Sequence, residues 1–186
     1  MTYWGKFVSN KKINKAMRTK SLNYYSAFAL LIILFVGASV NSQNLKPIKT
    51  EILVEGTSNI HDWEMTSEKA VANVETNSGN VSKISVEIPV KSLESGKGGM
   101  DKNAYKALNE DDYPTIKFTS SEVSASKITG KLTINGKTKT VSIPVSTKKV
   151  SQGVEISGKH TVNMTHFGVE PPTALMGTIK TGEEVT

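Results

Sequence analysis

Cysteine is absent from all 186 residues, so no disulfide, thiol nucleophile, Cys-bound metal or lipidated amino-terminal cysteine is available. Arginine is almost absent: Arg18 is the only one. A guanidinium is the usual bidentate partner of phosphate, and lysine replaces it only as a point charge. A dedicated pyrophosphate clamp is therefore disfavoured against recognition of a neutral or weakly polar head. Long apolar runs are missing too. The longest, Ala27–Val36, holds ten residues, well short of the ~20 that span a bilayer.

That run has a recognisable setting. Residues 1–26 carry six basic side chains and no acid, and the small, polar stretch Gly37-Ala38-Ser39-Val40-Asn41-Ser42 follows. Basic, apolar and then small residues are the order of a secretory signal peptide. Cleavage is expected after Ser42, and Met17 is a second possible start. The expected organisation is a signal peptide over 1–42 and one domain over 43–186, periplasmic or secreted, with no stable membrane insertion after cleavage. Six of the 23 basic residues leave with the signal, so 17 Lys face 17 acids in the remainder. The basic pI of 9.4 thus belongs to the export signal. A nucleic-acid binder needs a basic footprint that the mature chain lacks.

Period-two alternation fills the rest. Ile48/Thr50/Ile52/Val54, Ala70/Ala72/Val74, Ile84/Val86/Ile88/Val90 and Ile116/Phe118 each read as one apolar strand face. So do Ile128/Gly130/Leu132/Ile134, Val141/Ile143/Val145 and the run Val154/Ile156/Gly158/His160/Val162/Met164. One apolar and one polar face marks sheets buried on one side only. Asn135-Gly136 signals a type I′ hairpin; Ser78-Gly79-Asn80, Ser151-Gln152-Gly153 and Thr181-Gly182-Glu183 read as further turns. Met100, Ala104, Ala107 and Leu108 instead keep helical spacing, with Asp101 in the first turn and Pro114 beyond the end. Residues 43–47 read as a linker. Many strands with one apolar face and one helix close into a barrel or stack as a sandwich.

Candidate chemical motifs are weak. Gly136-Lys137-Thr138 looks like the end of a phosphate loop, but Gly130 stands one residue too far upstream and strand pattern follows. His61, His160 and His166 show no close pair of the kind metal sites use. No G-x-S-x-G elbow is present. His160 shares parity with Val162 and Met164, as a satisfied core histidine or as a polar group in a ligand cavity.

Several stretches together resemble the YceI-like family: Gly56-Thr57-Ser58-Asn59-Ile60-His61-Asp62-Trp63-Glu64-Met65, then Met100-Asp101 with Tyr105-Lys106-Ala107-Leu108, and Tyr113-Pro114-Thr115-Ile116-Lys117-Phe118. Gly130–Gly136 and Phe167-Gly168-Val169-Glu170-Pro171-Pro172 complete the set, in family order over roughly 48–186. The resemblance implies an eight-stranded antiparallel lipocalin-like barrel with one short helix, exported, and binding polyisoprenoid or a similar amphiphile without catalysing a reaction. His166 stands where many relatives carry Asp before the Phe-Gly pair, and only Glu183–Thr186 are left for a full last strand.

The expected partner is accordingly an apolar or amphiphilic small molecule (isoprenoid, quinone-like or lipid), with no cofactor, no metal and no nucleic acid. Trp63, Phe118, Val162, Met164 and Phe167 are the expected wall residues, with His160 as a polar contact. The small inward residues Ala70, Ala72, Gly130 and Gly158 are expected to leave volume. The rival readings are an envelope enzyme using His61, Asp62 or His160 as acid or base, and a ligand-free interaction module with a solid barrel.

Overall fold

A computed structural model describes residues 42–186 other than 46, 48 and 152, all within the compact unit Val40–Thr186. The signal peptide and its Met17 alternative fall on residues 1–42, which, Ser42 apart, lie outside the described residues. The chain is mostly β with one helix. Twelve strand segments are described: β1 (Ser42–Leu45), β2 (Ile52–Ser58), β3 (Trp63–Ser67), β4 (Val71–Asn77), β5 (Asn80–Pro89), β6 (Thr115–Val123), β7 (Lys127–Ile134), β8 (Lys137–Val150), β9 (Gly153–Gly158), β10 (Val162–Asn163), β11 (Thr173–Ala174) and β12 (Ile179–Val185). They form a seven-stranded sheet in the order β1-β4-β5-β6-β7-β8-β9 and a second sheet in the order β10-β12-β2-β3, with β11 paired to β12.

From β4 to β9 each strand pairs antiparallel with the next in sequence. The joints follow local chemistry. Ser78-Gly79 and Asn135-Gly136 both take positive φ at their two central residues, the requirement of the two-residue type I′ turn. Two expected breaks are absent. Residues 42–45 are a strand on the edge of β4, with Ser42 opposite Asn77 and Leu45 opposite Val74, so the linker reading of 43–47 is corrected. Their backbone groups cap a sheet edge that apolar patterning does not advertise. Thr181-Gly182-Glu183 is not a turn either; it lies inside β12, at an irregularity in the ladder between Thr181 and Val185. Gly182 is used there for close approach, its α-carbon passing the Thr57 hydroxyl.

The connection from β5 to β6 carries α1 (Gly98–Ala107), with Asp101 in its first turn and Lys106 in its last, as the helix dipole favours. Its stripe Met100, Ala104, Ala107 and Leu108 is half-buried. Asp101 Oδ1 accepts from the Ser95 backbone N–H at 2.8 Å and from its hydroxyl at 2.6 Å. Tyr105 donates its phenol to the Leu93 carbonyl at 2.7 Å. Below this helix, Ser67 and Ser92 hydroxyls meet at 2.6 Å among buried Met65, Val90 and Leu93. The isolated Thr66–Glu94 bridge joins the same segment to β3.

Candidate functional site

Antiparallel register places the inner-face residues of the large sheet in ranks. In the first, Val74 faces Ile84, and Gly130 faces both Ser120 and Val141. The Ser120 hydroxyl accepts from the Ile84 N–H at 2.8 Å and links the two halves. Ile84, Ser120, Gly130 and Val141 are all buried. This rank is a closed floor.

The next rank differs. Ala72 faces Val86, Val86 faces Phe118, Phe118 faces Leu132, and Leu132 faces Lys139. One step further, Ile88 faces Ile116 and Ile134 faces Lys137. Every apolar member of these two ranks keeps partial exposure, while Lys137 and Lys139 are exposed. Neither lysine has a salt-bridge partner among the described residues. An apolar surface thus leads from a closed floor to two ammonium groups, which sequence reasoning missed. Continuing the parity of Val141 backwards through Lys139 and Lys137 was the available signal.

The six expected ligand residues fall in different places. Phe118 lies in the middle of the second rank, with its ring over Gly130. Trp63, at the start of β3, stacks its indole on Gly56 and donates its N–H to the Thr57 carbonyl at 2.9 Å. It lines an open cleft of about 570 Å³ together with Glu55, Asp62, Glu64, Lys159 and Glu184. Val162 faces Val185 in the small sheet, both half-buried. Met164 and Phe167 lie in the 3-10 turn Met164–Phe167; Met164 is half-buried and Phe167 only 3 % exposed. Asn135 Nδ2 donates to the Gly168 carbonyl at 2.9 Å, tying that turn to the β7–β8 hairpin. The Lys137 side chain ends against Gly168. His160 is half-buried in the connection between β9 and β10.

Two expectations about the interior change. Gly130 leaves no vacant volume, because the Phe118 ring fills the space beside it; Gly158 is likewise in close approach to Ile143 and Pro144. Val154 and Ile156 share the inward parity but are 60 % and 37 % exposed, because β9 is an edge strand with a partner on one side only among the described residues. The catalytic alternative finds an exposed pair: His61 Nδ1 lies 2.8 Å from the backbone carbonyl of Asp62, not from its carboxylate. Among the described residues no group of three or more His, Asp or Glu is placed to hold a metal ion.

Charge around the helix is organised. Burial first, and then the carboxylates of Asp101, Glu94 and Glu110, push the Tyr105 phenol above its usual 10.0. The Lys91 ammonium is raised chiefly by its hydrogen bond to Glu110, at 2.8 Å.

A family model for the YceI-like domain matches residues 43–186. The chain belongs to the YceI-like family. Among solved structures, this YceI-like chain is similar to BcnA of Burkholderia cenocepacia, with 24 % identity and a TM-score of 0.58 over 72 % of this chain and 90 % of that one. It is also similar to a polyisoprenoid-binding domain from Saccharophagus degradans implicated in plant cell wall breakdown, with 7 % identity and a TM-score of 0.55 over 79 % and 94 %. At such identities the likeness is one of fold. No curated protein sequence matches the chain significantly.

Proposed function

We propose that this YceI-like chain is an exported carrier that holds a lipid-like amphiphile, polyisoprenoid, quinone-like or other, within a lipocalin-like barrel of eight principal strands, and catalyses no reaction. The basic, apolar and small-residue order of residues 1–42 supports export. The carrying observation is the pair of apolar ranks around Val86, Phe118, Leu132, Ile88, Ile116 and Ile134, half-buried and ending on Lys139 and Lys137. Side chains packed solidly in a core are excluded from water; these remain reachable. Burial of an apolar tail against them gains roughly 25 cal/mol per Å² removed from water. The polyisoprenoid binding named for the Saccharophagus domain of like fold supports the same ligand class.

Two adjacent positions test it. Leu132 belongs to the half-buried rank, whereas Lys131 is exposed on the opposite face. With the mature chain and a fluorescent fatty-acid probe, Leu132→Glu is expected to abolish binding and Lys131→Glu to retain it, both remaining folded by circular dichroism. A folded wild type that takes up no apolar probe defeats the carrier reading.

A further inference from the structure

Several large apolar side chains are exposed among the described residues, Leu53, Val71 and Val154 among them, and three others belong to loops tied to each other. Ile60, Leu175 and Met176 are 59 %, 72 % and 108 % exposed, and they sit on two loops that are bound together. Asn59 makes the connection: its N–H donates to the Lys180 carbonyl at 3.1 Å, its Nδ2 donates to the Thr178 carbonyl at 2.9 Å, and its Oδ1 accepts from the Lys180 N–H at 2.8 Å. The loop between β11 and β12 is closed by Gly177 N–H to the Ala174 carbonyl at 3.1 Å.

That loop carries two penalties in water. Leu175 and Met176 have φ of 50° and 56°, with Gly177 at 85°. Left-handed backbone is disfavoured for side chains of this kind, and Asn or Gly is the ordinary choice. Large apolar groups are also held in solvent where turns are usually polar. We propose that Ile60, Leu175 and Met176 form a peripheral docking tip for a lipid bilayer surface, inserting at the boundary of headgroups and acyl chains.

The choice of occupant follows from area and charge. Three side chains fall short of the roughly 800 Å² per partner that a stable protein interface buries, yet apolar insertion into a bilayer scales with whatever area is buried and is reversible. His61, Asp62 and Lys180 border the tip with both signs of charge, so attraction to anionic lipid is not its basis. A fluid apolar medium needs no complementary shape. This surface stands apart from the interior site and remains testable if that site is empty.

The test is flotation of the mature chain with vesicles of phosphatidylcholine alone, at about 0.05 M and about 0.5 M salt, where screening differs severalfold. Wild type is expected to float equally at both. The double variant Leu175→Asn/Met176→Gly, whose new residues accept left-handed backbone, is expected to lose binding about ten-fold while melting at the same temperature or higher. Failure of wild type to float, binding that salt abolishes, or a variant that floats as well as wild type overturns the proposal. Dimerisation that the double variant abolishes assigns the tip to a second copy and overturns it as well. Uptake of a detergent-dispersed fatty-acid probe is scored separately; its loss with flotation intact counts against the interior reading and not against the tip.

Discussion

The Phe118 ring occupies the space of the side chain that Gly130 lacks. A β-carbon on Gly130 would lie 2.6 Å from Phe118 Cζ and 2.5 Å from the Thr119 carbonyl oxygen. The buried floor rank and the Phe118 ring beside it are therefore one unit.

From this, Gly130→Ala is expected to destabilise by about 1–3 kcal/mol through overpacking. Phe118→Leu added to it should restore part of the loss, because it removes the ring but leaves the Thr119 carbonyl in place. Urea unfolding of the two single variants and the double checks the coupling. Strict additivity would mean that ring and glycine are energetically separate.

The lysine end of the apolar ranks gives a second expectation, concerning ligand chemistry. Replacing Lys137 and Lys139 together by Met keeps the aliphatic stems and removes both charges. A carboxylate-bearing chain should then bind about ten-fold more weakly, a change of about 1.4 kcal/mol, whereas the corresponding alcohol should bind as before. Titration calorimetry with the matched pair decides it. Equal losses for both probes would place the lysines in a structural role.

Helix α1 is anchored by the Asp101 carboxylate as well as by the Tyr105 phenol. Asp101→Ala leaves the Ser95 N–H without its acceptor and the Ser95 hydroxyl with only the Lys97 carbonyl at 3.3 Å, and a lost charged-acceptor hydrogen bond costs about 1.5–3 kcal/mol. Chemical denaturation should show that fall in stability. An unchanged midpoint would show that solvent replaces the carboxylate fully.

At alkaline pH the same corner becomes a sensor. Tyr105 and Lys91 both have raised values in the folded state. Their contribution to stability is complete below the unfolded values near pH 10 and is lost as pH rises through the folded ones. Stability measured between about pH 8 and pH 11 should therefore decline. Tyr105→Phe is expected to lower stability at neutral pH by about 0.5–1.5 kcal/mol and to flatten the alkaline decline. A variant with the same alkaline slope as wild type would remove Tyr105 from this effect.

Much of this architecture was legible in residue order. Ile84, Val86 and Ile88 share the inward face of β5, with Val90 buried in the 3-10 turn just beyond it, and Asn135-Gly136 makes the turn its chemistry requires. The helix stripe was legible because Ala104, Ala107 and Leu108 keep one face. What escaped depended on partners. Ser42–Leu45 has no alternation, and only pairing with Val74–Asn77 makes it a strand. Lys137 and Lys139 read as a polar hairpin arm until Ile134 and Leu132 stand opposite them. Strand parity likewise gives no sign that Phe167 is buried within a 3-10 turn.

The pairing order also bears on how the molecule assembles. Strands β4 to β9 join successive neighbours along the chain, so most of their contacts close short loops. The β2–β12 pair of the second sheet does not: Glu55 and Thr186 exchange backbone hydrogen bonds at 2.7 and 2.9 Å, and the Asn59–Thr178 bond spans 119 residues. Contacts of high sequence separation form slowly because closure entropy is paid before they stabilise anything. The β4–β9 meander is thus the natural early structure, and the seam between β2 and β12 the late one. Until that seam closes, the backbone groups that β2 and β12 share stay unpaired, and open strand edges of that kind make the species then present in the folding chain prone to aggregation.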